Sequence, residues 1–282
     1  MRAKPRWLKV GLPSSQEFFE VKRLLRNNKL HTVCEEANCP NIAECFGRRT
    51  ATFMILGRVC TRNCRYCNVQ HGIPDEVNYE EPLLIARAAK RLKLSYVVIT
   101  SVTRDDLSDY GAEHFARVVR SVKSETNAMV ELLVPDFNGS ESSIRTVLEA
   151  GPDVLNHNIE VVQRLFKRLR PEGSYDTSLK LLKLSKSISS IPTKSGFMIG
   201  LGETKQDIIK TMGDLRRADV DMLTIGQYLQ PSLQHEAVRK YYTPEEFQEL
   251  YDLAVGMGFS AVASGPLVRS SYHAHKMAMK VV

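Results

Sequence analysis

The 282-residue chain contains no run approaching the about 18 consecutive apolar residues of a membrane span. Its amino terminus, MRAKPRWLKVGLPSS, is basic but lacks the apolar core of a secretory signal, and it is short and mixed for a transit peptide. These absences predict a cytoplasmic protein with no membrane association. No low-complexity tract and no internal repeat is visible. Wholesale disorder and fibrous structure are unexpected too, because 43% of residues are hydrophobic and 25% are charged, the ordinary balance of a globular protein. Cysteine is missing altogether from positions 68 to 282.

The six cysteines that are present, Cys34, Cys39, Cys45, Cys60, Cys64 and Cys67, therefore share one short window. A disulfide framework belongs to short secreted chains, and this chain is neither short nor visibly secreted. Clustered thiols in a reducing compartment read instead as metal ligands. The charge balance, 39 basic against 32 acidic residues or +7, suits nucleic acid, an anionic membrane surface or an acidic protein, and does not by itself choose among them.

Beyond residue 50 the chain alternates between two periodicities. Apolar or β-branched runs at 51–57, 96–102, 128–135, 153–160, 194–200 and 221–227 predict strands. Amphipathic stretches at 80–93, 111–124, 140–150, 161–190 in two pieces, 204–218 and 243–257 predict helices. Thr243-Pro244-Glu245-Glu246 marks a helix start, and Gly151 and Gly258 lie just beyond helix ends. Consecutive strand-then-helix units imply an α/β fold with a parallel sheet, either open or an incomplete barrel, with ligands at the carboxyl ends of the strands. Residues 1–50 show no such rhythm and read as an extension.

Cys60, Cys64 and Cys67 form C-x3-C-x2-C directly after the first predicted strand. An iron–sulfur cube ordinarily takes four cysteines, so three leave one iron with an open coordination position. A zinc site completed by His71 is the alternative. Cys34, Cys39 and Cys45 form C-x4-C-x5-C, which departs from plant ferredoxin spacing at the third cysteine. No seventh cysteine remains, so a fourth ligand must come from another residue type, from substrate or from solvent.

With Tyr66 immediately before its last cysteine, the second triad resembles that of the radical S-adenosylmethionine (SAM) enzymes. The resemblance implies a partial (β/α)6 radical SAM barrel with N-terminal and C-terminal extensions. CEEANCPNIAEC, GRRTATFMILGRVCTRNCRYC and GPLVRSSYHA together resemble the lipoyl synthases over most of the chain. Phe46 stands where that family is expected to have Trp, a conservative departure. The family likeness implies radical-mediated insertion of two sulfur atoms, at C6 and C8 of a protein-bound N6-octanoyl-lysine. It implies two [4Fe–4S] clusters and S-adenosyl-L-methionine, two per lipoyl group. Cys60, Cys64 and Cys67 would hold the cleaving cluster. Cys34, Cys39, Cys45 and Ser271 would hold an auxiliary, sulfur-donating one, with Ser270 the neighbouring candidate. Residues 1–50 would carry the auxiliary cysteines, 51–260 the barrel and 261–282 the RSSY segment. Implied partners are an octanoylated carrier domain (2-oxoacid dehydrogenase E2 or glycine cleavage H protein), a low-potential donor such as ferredoxin or flavodoxin, and an iron–sulfur carrier for repair.

Tyr66, Asn158, Glu160, Gly200 and Gly202 are the candidate SAM contacts, the glycines serving equally well in a tight strand-to-helix turn. His157 reads as structural, and His273 and His275 as surface residues. Arg164, Lys167, Arg168 and Arg170 read as a basic run, either a docking patch or a solvated face. An RNA-modifying radical enzyme finds no RNA-binding signature here, so no nucleic-acid partner is expected. A non-catalytic electron carrier would favour four cysteines and a small chain.

Overall fold

A computed structural model describes residues 4–48 and 50–282. Its main strands are β1 (Thr52–Ile55), β2 (Tyr96–Ser101), β3 (Met129–Leu133), β4 (Val154–Asn156), β5 (Thr193–Ile199), β6 (Met222–Gln227) and β7 (Ala261–Gly265). Every residue of β1 and β6 is buried, which is why these strands read as continuous apolar runs rather than alternating ones. The chain divides into two compact units. The first comprises Val10–Arg62 and Asn68–Leu155; the second comprises Asn63–Cys67 and Asn156–Val282 with the amino-terminal residues up to Lys9.

In the first unit β1, β2 and β3 pair in parallel, with Thr52 opposite Val98 and Tyr96 opposite Met129. The backbone N–H of Asp153, just before β4, donates to Val130 at 2.8 Å. The helices Glu81–Arg91, Ala112–Glu125 and Glu141–Glu149 supply the crossovers, as the periodicity predicts. Residues 1–50 carry more order than their lack of rhythm suggests. A helix spans Gln16–Asn27, started by Ser15, whose hydroxyl accepts from the Phe18 N–H at 3.2 Å. It buries Phe18, Val21, Leu24 and Leu25, one face of a helix, and Phe18 packs on the fully buried Phe46 with ring centroids 5.6 Å apart. A two-residue strand, His31–Thr32, pairs antiparallel with β1.

In the second unit β5, β6 and β7 are parallel, with Lys194 opposite Met222 and Met222 opposite Ala261. The helices Gln163–Leu169 and Tyr175–Ile188 are the expected two pieces of 161–190. Lys205–Arg217 and Pro244–Gly256 both open with capping boxes, on Thr204/Asp207 and Thr243/Glu246. Two expectations need correction. The fourth strand ends at Asn156 rather than continuing to 160, because Glu160 takes a left-handed backbone (φ 67°) and leaves only an isolated bridge to Phe197. A seventh parallel strand, Ala261–Gly265, lies in what reads as tail, its small residues giving no strand-like hydrophobic signal. No helix among the described residues is long and apolar enough to cross a membrane.

Candidate active site

The first cysteine triad is held by two short helices of the first unit. Val33–Glu36 carries the buried Cys34 and is capped by Thr32, whose hydroxyl accepts from the Glu35 N–H. Ile42–Gly47 carries Cys45, and the turn between them is closed by the Cys39 N–H donating to the Cys34 carbonyl at 3.0 Å. Burial pushes the Cys34 thiol up to about 12, and the nearby Cys39 adds to this. Burial likewise pushes Cys45 up to about 12, with Cys34 and Cys39 as the next causes. The three sulfurs are thus close enough to repel one another as thiolates, with Cys34 the one shut off from water. A cationic iron–sulfur core is what such a set lacks, and it fits the donors present.

The second triad is divided between the units. In the first, Val59–Cys60 pairs with Gln70–His71, and the Cys60 sulfur accepts backbone N–H groups from Arg62 at 3.4 Å and Thr103 at 3.3 Å. The approach from β1 is a tight turn in which Leu56 takes a left-handed backbone (φ 65°). Its N–H donates to the buried Glu81 at 2.9 Å and its carbonyl accepts from the buried Arg104 at 3.2 Å, while His114 contacts Glu81 at 2.8 Å. Such a conformation is costly for a leucine and persists only where its surroundings hold it. In the second unit the Cys67 N–H donates to the Cys64 carbonyl, and the Cys67 carbonyl lies 3.0 Å from Nε2 of His235. Nε2 therefore donates, and Nδ1 accepts from the Ser232 hydroxyl at 2.8 Å. Backbone bonds from Arg65 to Leu169 and from Glu236 to Arg65 fasten the loop further.

His71 is exposed. Among the described residues no three His, Cys, Asp or Glu side chains converge as a single metal ion requires. A cube makes a different demand, since each thiolate takes its own iron.

Tyr66, Asn158 and Glu160 lie in the second unit and are electrostatically linked through Arg170. Burial raises Tyr66 well above its ordinary value, with Arg170 opposing. Burial also raises Glu160, opposed by Arg170, by a hydrogen bond from Asn158 and by Arg269. The Arg170 guanidinium reaches the Asn158 and Ile159 carbonyls at 3.4 Å and lies 5.0 Å from the Phe166 ring. Oδ1 of Asn158 is buried beside Gly196 of β5 without a hydrogen-bond partner. Gly200 and Gly202 form the turn after β5: the Gly200 and Leu201 N–H groups donate to the Glu203 carboxylate at 2.6 and 2.9 Å, and the Gly200 carbonyl accepts from Arg239. Gly200 has φ 108°, and a Cβ there would lie 2.2 Å from the Gln227 amide nitrogen.

Ser270 and Ser271 are half-buried on the segment after β7. That segment closes on the end of β6, where a Cβ on Gly226 would lie 2.2 Å from the Val268 carbonyl. Tyr272 stacks on His273 with ring centroids 4.1 Å apart, while His275 is exposed. The basic run does not behave as one face. Arg164 pairs with Asp207 at 2.8 Å, Arg168 pairs with Glu236 at 2.6 Å, and Arg170 is buried. Sequence reasoning read Arg170 only as part of a basic run and passed over Arg62, His235 and Arg269. The last of these was in plain view as the first letter of RSSY.

Residues 54–215 match the model of the radical SAM superfamily. Solved structures of similar fold include methylornithine synthase (TM-score 0.53, 16% identity, 88% of this chain and 78% of that one). The FeFe-hydrogenase maturase of Carboxydothermus hydrogenoformans is similar at TM-score 0.57 and 11% identity, over 93% of this chain and 69% of that one. SuiB of Streptococcus suis, solved with S-adenosylmethionine, matches at TM-score 0.59 and 12% identity over 79% and 53%. Fold and cysteine loop together define a radical SAM protein, with S-adenosylmethionine and [4Fe–4S] clusters as its cofactors. Residues 2–39 further match the N-terminal domain of lipoyl synthase. The lipoyl synthase of Caldanaerobacter subterraneus subsp. tengcongensis is 55% identical over 272 residues, 96% of this chain and 95% of that one. That of Nitrosomonas eutropha is 55% identical over 278 residues, covering 98% and 88%. The chain belongs to the lipoyl synthase family.

Proposed function

We propose that this chain converts a protein-bound N6-octanoyl-lysine to lipoyl-lysine by placing sulfur at C6 and C8. Saturated C–H bonds offer no acidic proton and no leaving group, so side-chain acid–base chemistry does not reach them. When bound, SAM and one cluster supply the one-electron chemistry that breaks those bonds, and the second cluster supplies sulfur. The observation that carries the reading is the pair of separate three-cysteine sets, one of them gathered on the short helices Val33–Glu36 and Ile42–Gly47 and the turn between them, around the buried Cys34.

Cys60, Cys64 and Cys67 hold the cleaving cluster in this reading. Cys34, Cys39 and Cys45 hold the auxiliary one, with the Ser271 hydroxyl as fourth ligand. An oxygen ligand matches iron–sulfur chemistry less well than thiolate does, which suits a cluster meant to be dismantled. The unpartnered Asn158 carbonyl oxygen offers an acceptor to a ribose or amino group. Glu160 offers a carboxylate steadied by Arg170 and Arg269, and Tyr66 backs the loop from a half-buried position. Gly200 and Gly202 shape the turn that brings backbone close to the nucleotide. The functional division follows: 1–50 for the auxiliary cysteines, 51–260 for the barrel, 261–282 for the serine segment.

The substrate is the octanoylated domain of a 2-oxoacid dehydrogenase E2 or of glycine cleavage H protein. The electrons come from a low-potential ferredoxin or flavodoxin, and an iron–sulfur carrier rebuilds the spent cluster. A reducing cytoplasm suits all of these. The test is anaerobic incubation of reconstituted protein with SAM, a low-potential reductant and an octanoyl-lysine carrier domain, followed by mass spectrometry of that domain. A gain of two sulfurs is expected. Release of 5′-deoxyadenosine without sulfur gain would keep the radical chemistry and reject the substrate.

A further inference from the structure

Arg62 sits inside the second cysteine loop, between Cys60 and Cys64, and is only 7% exposed. Its guanidinium grips two carboxylates at once. Nε and Nη2 donate to Asp105 at 2.7 and 2.8 Å, and Nη1 and Nη2 donate to Asp136 at 2.6 and 2.8 Å. Asp105 follows β2 and Asp136 follows β3, so the fork ties the loop to the carboxyl ends of two neighbouring strands. The bond to Asp105 is reinforced from the backbone: the Asp105 N–H donates to the Thr61 hydroxyl at 3.1 Å, and the Thr61 N–H donates to the Thr103 carbonyl at 3.0 Å.

The segments joined by this knot are also those that bond the Cys60 sulfur. One N–H comes from Arg62 itself and the other from Thr103, two residues before Asp105. The permanently charged guanidinium and the two carboxylates are fixed charges beside the cysteine loop, and each acts on a cluster held there.

We propose that Arg62, Asp105 and Asp136 are positioning residues that hold Cys60 in its two N–H···S bonds and set the reduction potential of the cluster on this loop, the carboxylates lowering it and Arg62 raising it. The proposal rests on the reading of Cys60, Cys64 and Cys67 as ligands. Net charge and hydrogen bonds to sulfur both set the potential of an iron–sulfur cluster. Adding an electron beside a fixed negative charge is unfavourable, so the carboxylates drive the potential down. Arg62 offsets part of that effect and, through its geometry, preserves the N–H···S bonds, which favour the more negative reduced state.

Substitutions at the two ends of the knot should therefore act in opposite directions. Asp105→Asn removes one negative charge and keeps an amide oxygen for Arg62. Its side chain is 34% exposed, so the fold is expected to tolerate the exchange. Arg62→Gln removes the positive charge and releases the loop. Arg62→Lys offers a point charge where a two-sided fork is needed, and should not restore it.

The experiment is a redox titration of the full-length, anaerobically reconstituted chain, followed by electron paramagnetic resonance with and without SAM. The signal that SAM perturbs reports the cleaving cluster, and the other signal is an internal reference. Asp105→Asn should move the SAM-sensitive potential in the positive direction, leaving the reference and the melting temperature unchanged. Arg62→Gln should move it in the negative direction and lower the iron retained. An unshifted Asp105→Asn variant, or both variants shifting the same way, would overturn the proposal. Cys60→Ala separates the underlying reading: loss of the SAM-sensitive signal is expected, and its survival would remove Cys60 from the ligand set.

Discussion

In the proposed division of labour single cysteines carry separate duties, and single substitutions should separate them. Cys64→Ala should abolish 5′-deoxyadenosine formation, whereas Cys39→Ala should leave cofactor cleavage intact and prevent sulfur insertion. Chromatography of the nucleoside products alongside mass spectrometry of the carrier domain checks both, and identical failure at cleavage in two folded variants would refute the division. Ser271→Ala should retain the SAM-sensitive cluster signal, yet lose sulfur insertion and about half the bound iron, because only one of two cubes is affected. Ser270→Ala should retain both clusters. At this scale the sequence offered candidate ligands and was silent about their supports. Three thiols at fixed spacing form a local pattern, but Arg62 finds Asp105 and Asp136 across 43 and 74 residues, and no local pattern announces such pairs. His235 meets Cys67 across 168 residues and was hidden for the same reason.

The elements were legible where their signals were strong. The predicted helices at 204–218 and 243–257 begin within a residue of the observed ones because Thr204 and Thr243 supply true capping boxes. Thr204→Ala should accordingly cost about 1 kcal/mol of stability, read as a lower midpoint in urea denaturation. Gly200→Ala should cost more, about 1–3 kcal/mol from its left-handed backbone alone, before the contacts with Gln227 and Lys240 are counted. Elements were missed where local signals were weak or were read too coarsely. Gln16–Asn27 has a capped, amphipathic pattern, obscured by its setting in a segment without strands. β7 is built from Ala, Val, Ser and Gly, residues that join a sheet only because β6 offers them an edge. The fourth strand looked longer than it is because Asn156-His157-Asn158-Ile159 stays buried along a non-strand path and ends on the β-branched Ile159.

For the molecule as a whole, the cofactors and the charge should dominate behaviour in solution. Stripping iron leaves Cys34 and Cys45 as buried thiols with values near 12, above their ordinary 9.0. As pH rises past 9, the unfolded chain releases these protons while the folded chain retains them, so iron-free stability should fall from pH 9 toward 12. Urea midpoints of the iron-free chain at pH 8 and pH 10 check the sign. Reconstitution should raise the melting temperature, since a cluster binds the folded chain and not the unfolded one. A net charge of +7 should speed encounter with an acidic carrier domain. kcat/KM should therefore fall as sodium chloride is raised, with kcat much less affected.

The close approach of Val268 to Gly226 has a genetic consequence. With a hydrogen as its side chain, Gly226 leaves a slot that the Val268 carbonyl fills, and any side chain there would push residues 268–272 off the end of β6. An allele that maps to the end of a buried strand would then behave as an allele of the tail. In a lipoate-auxotrophy screen, Gly226→Ala and Ser271→Ala should fall into the same phenotypic group. A second-site revertant of the first would be sought at Val268 rather than among the neighbours of Gly226 in the sheet.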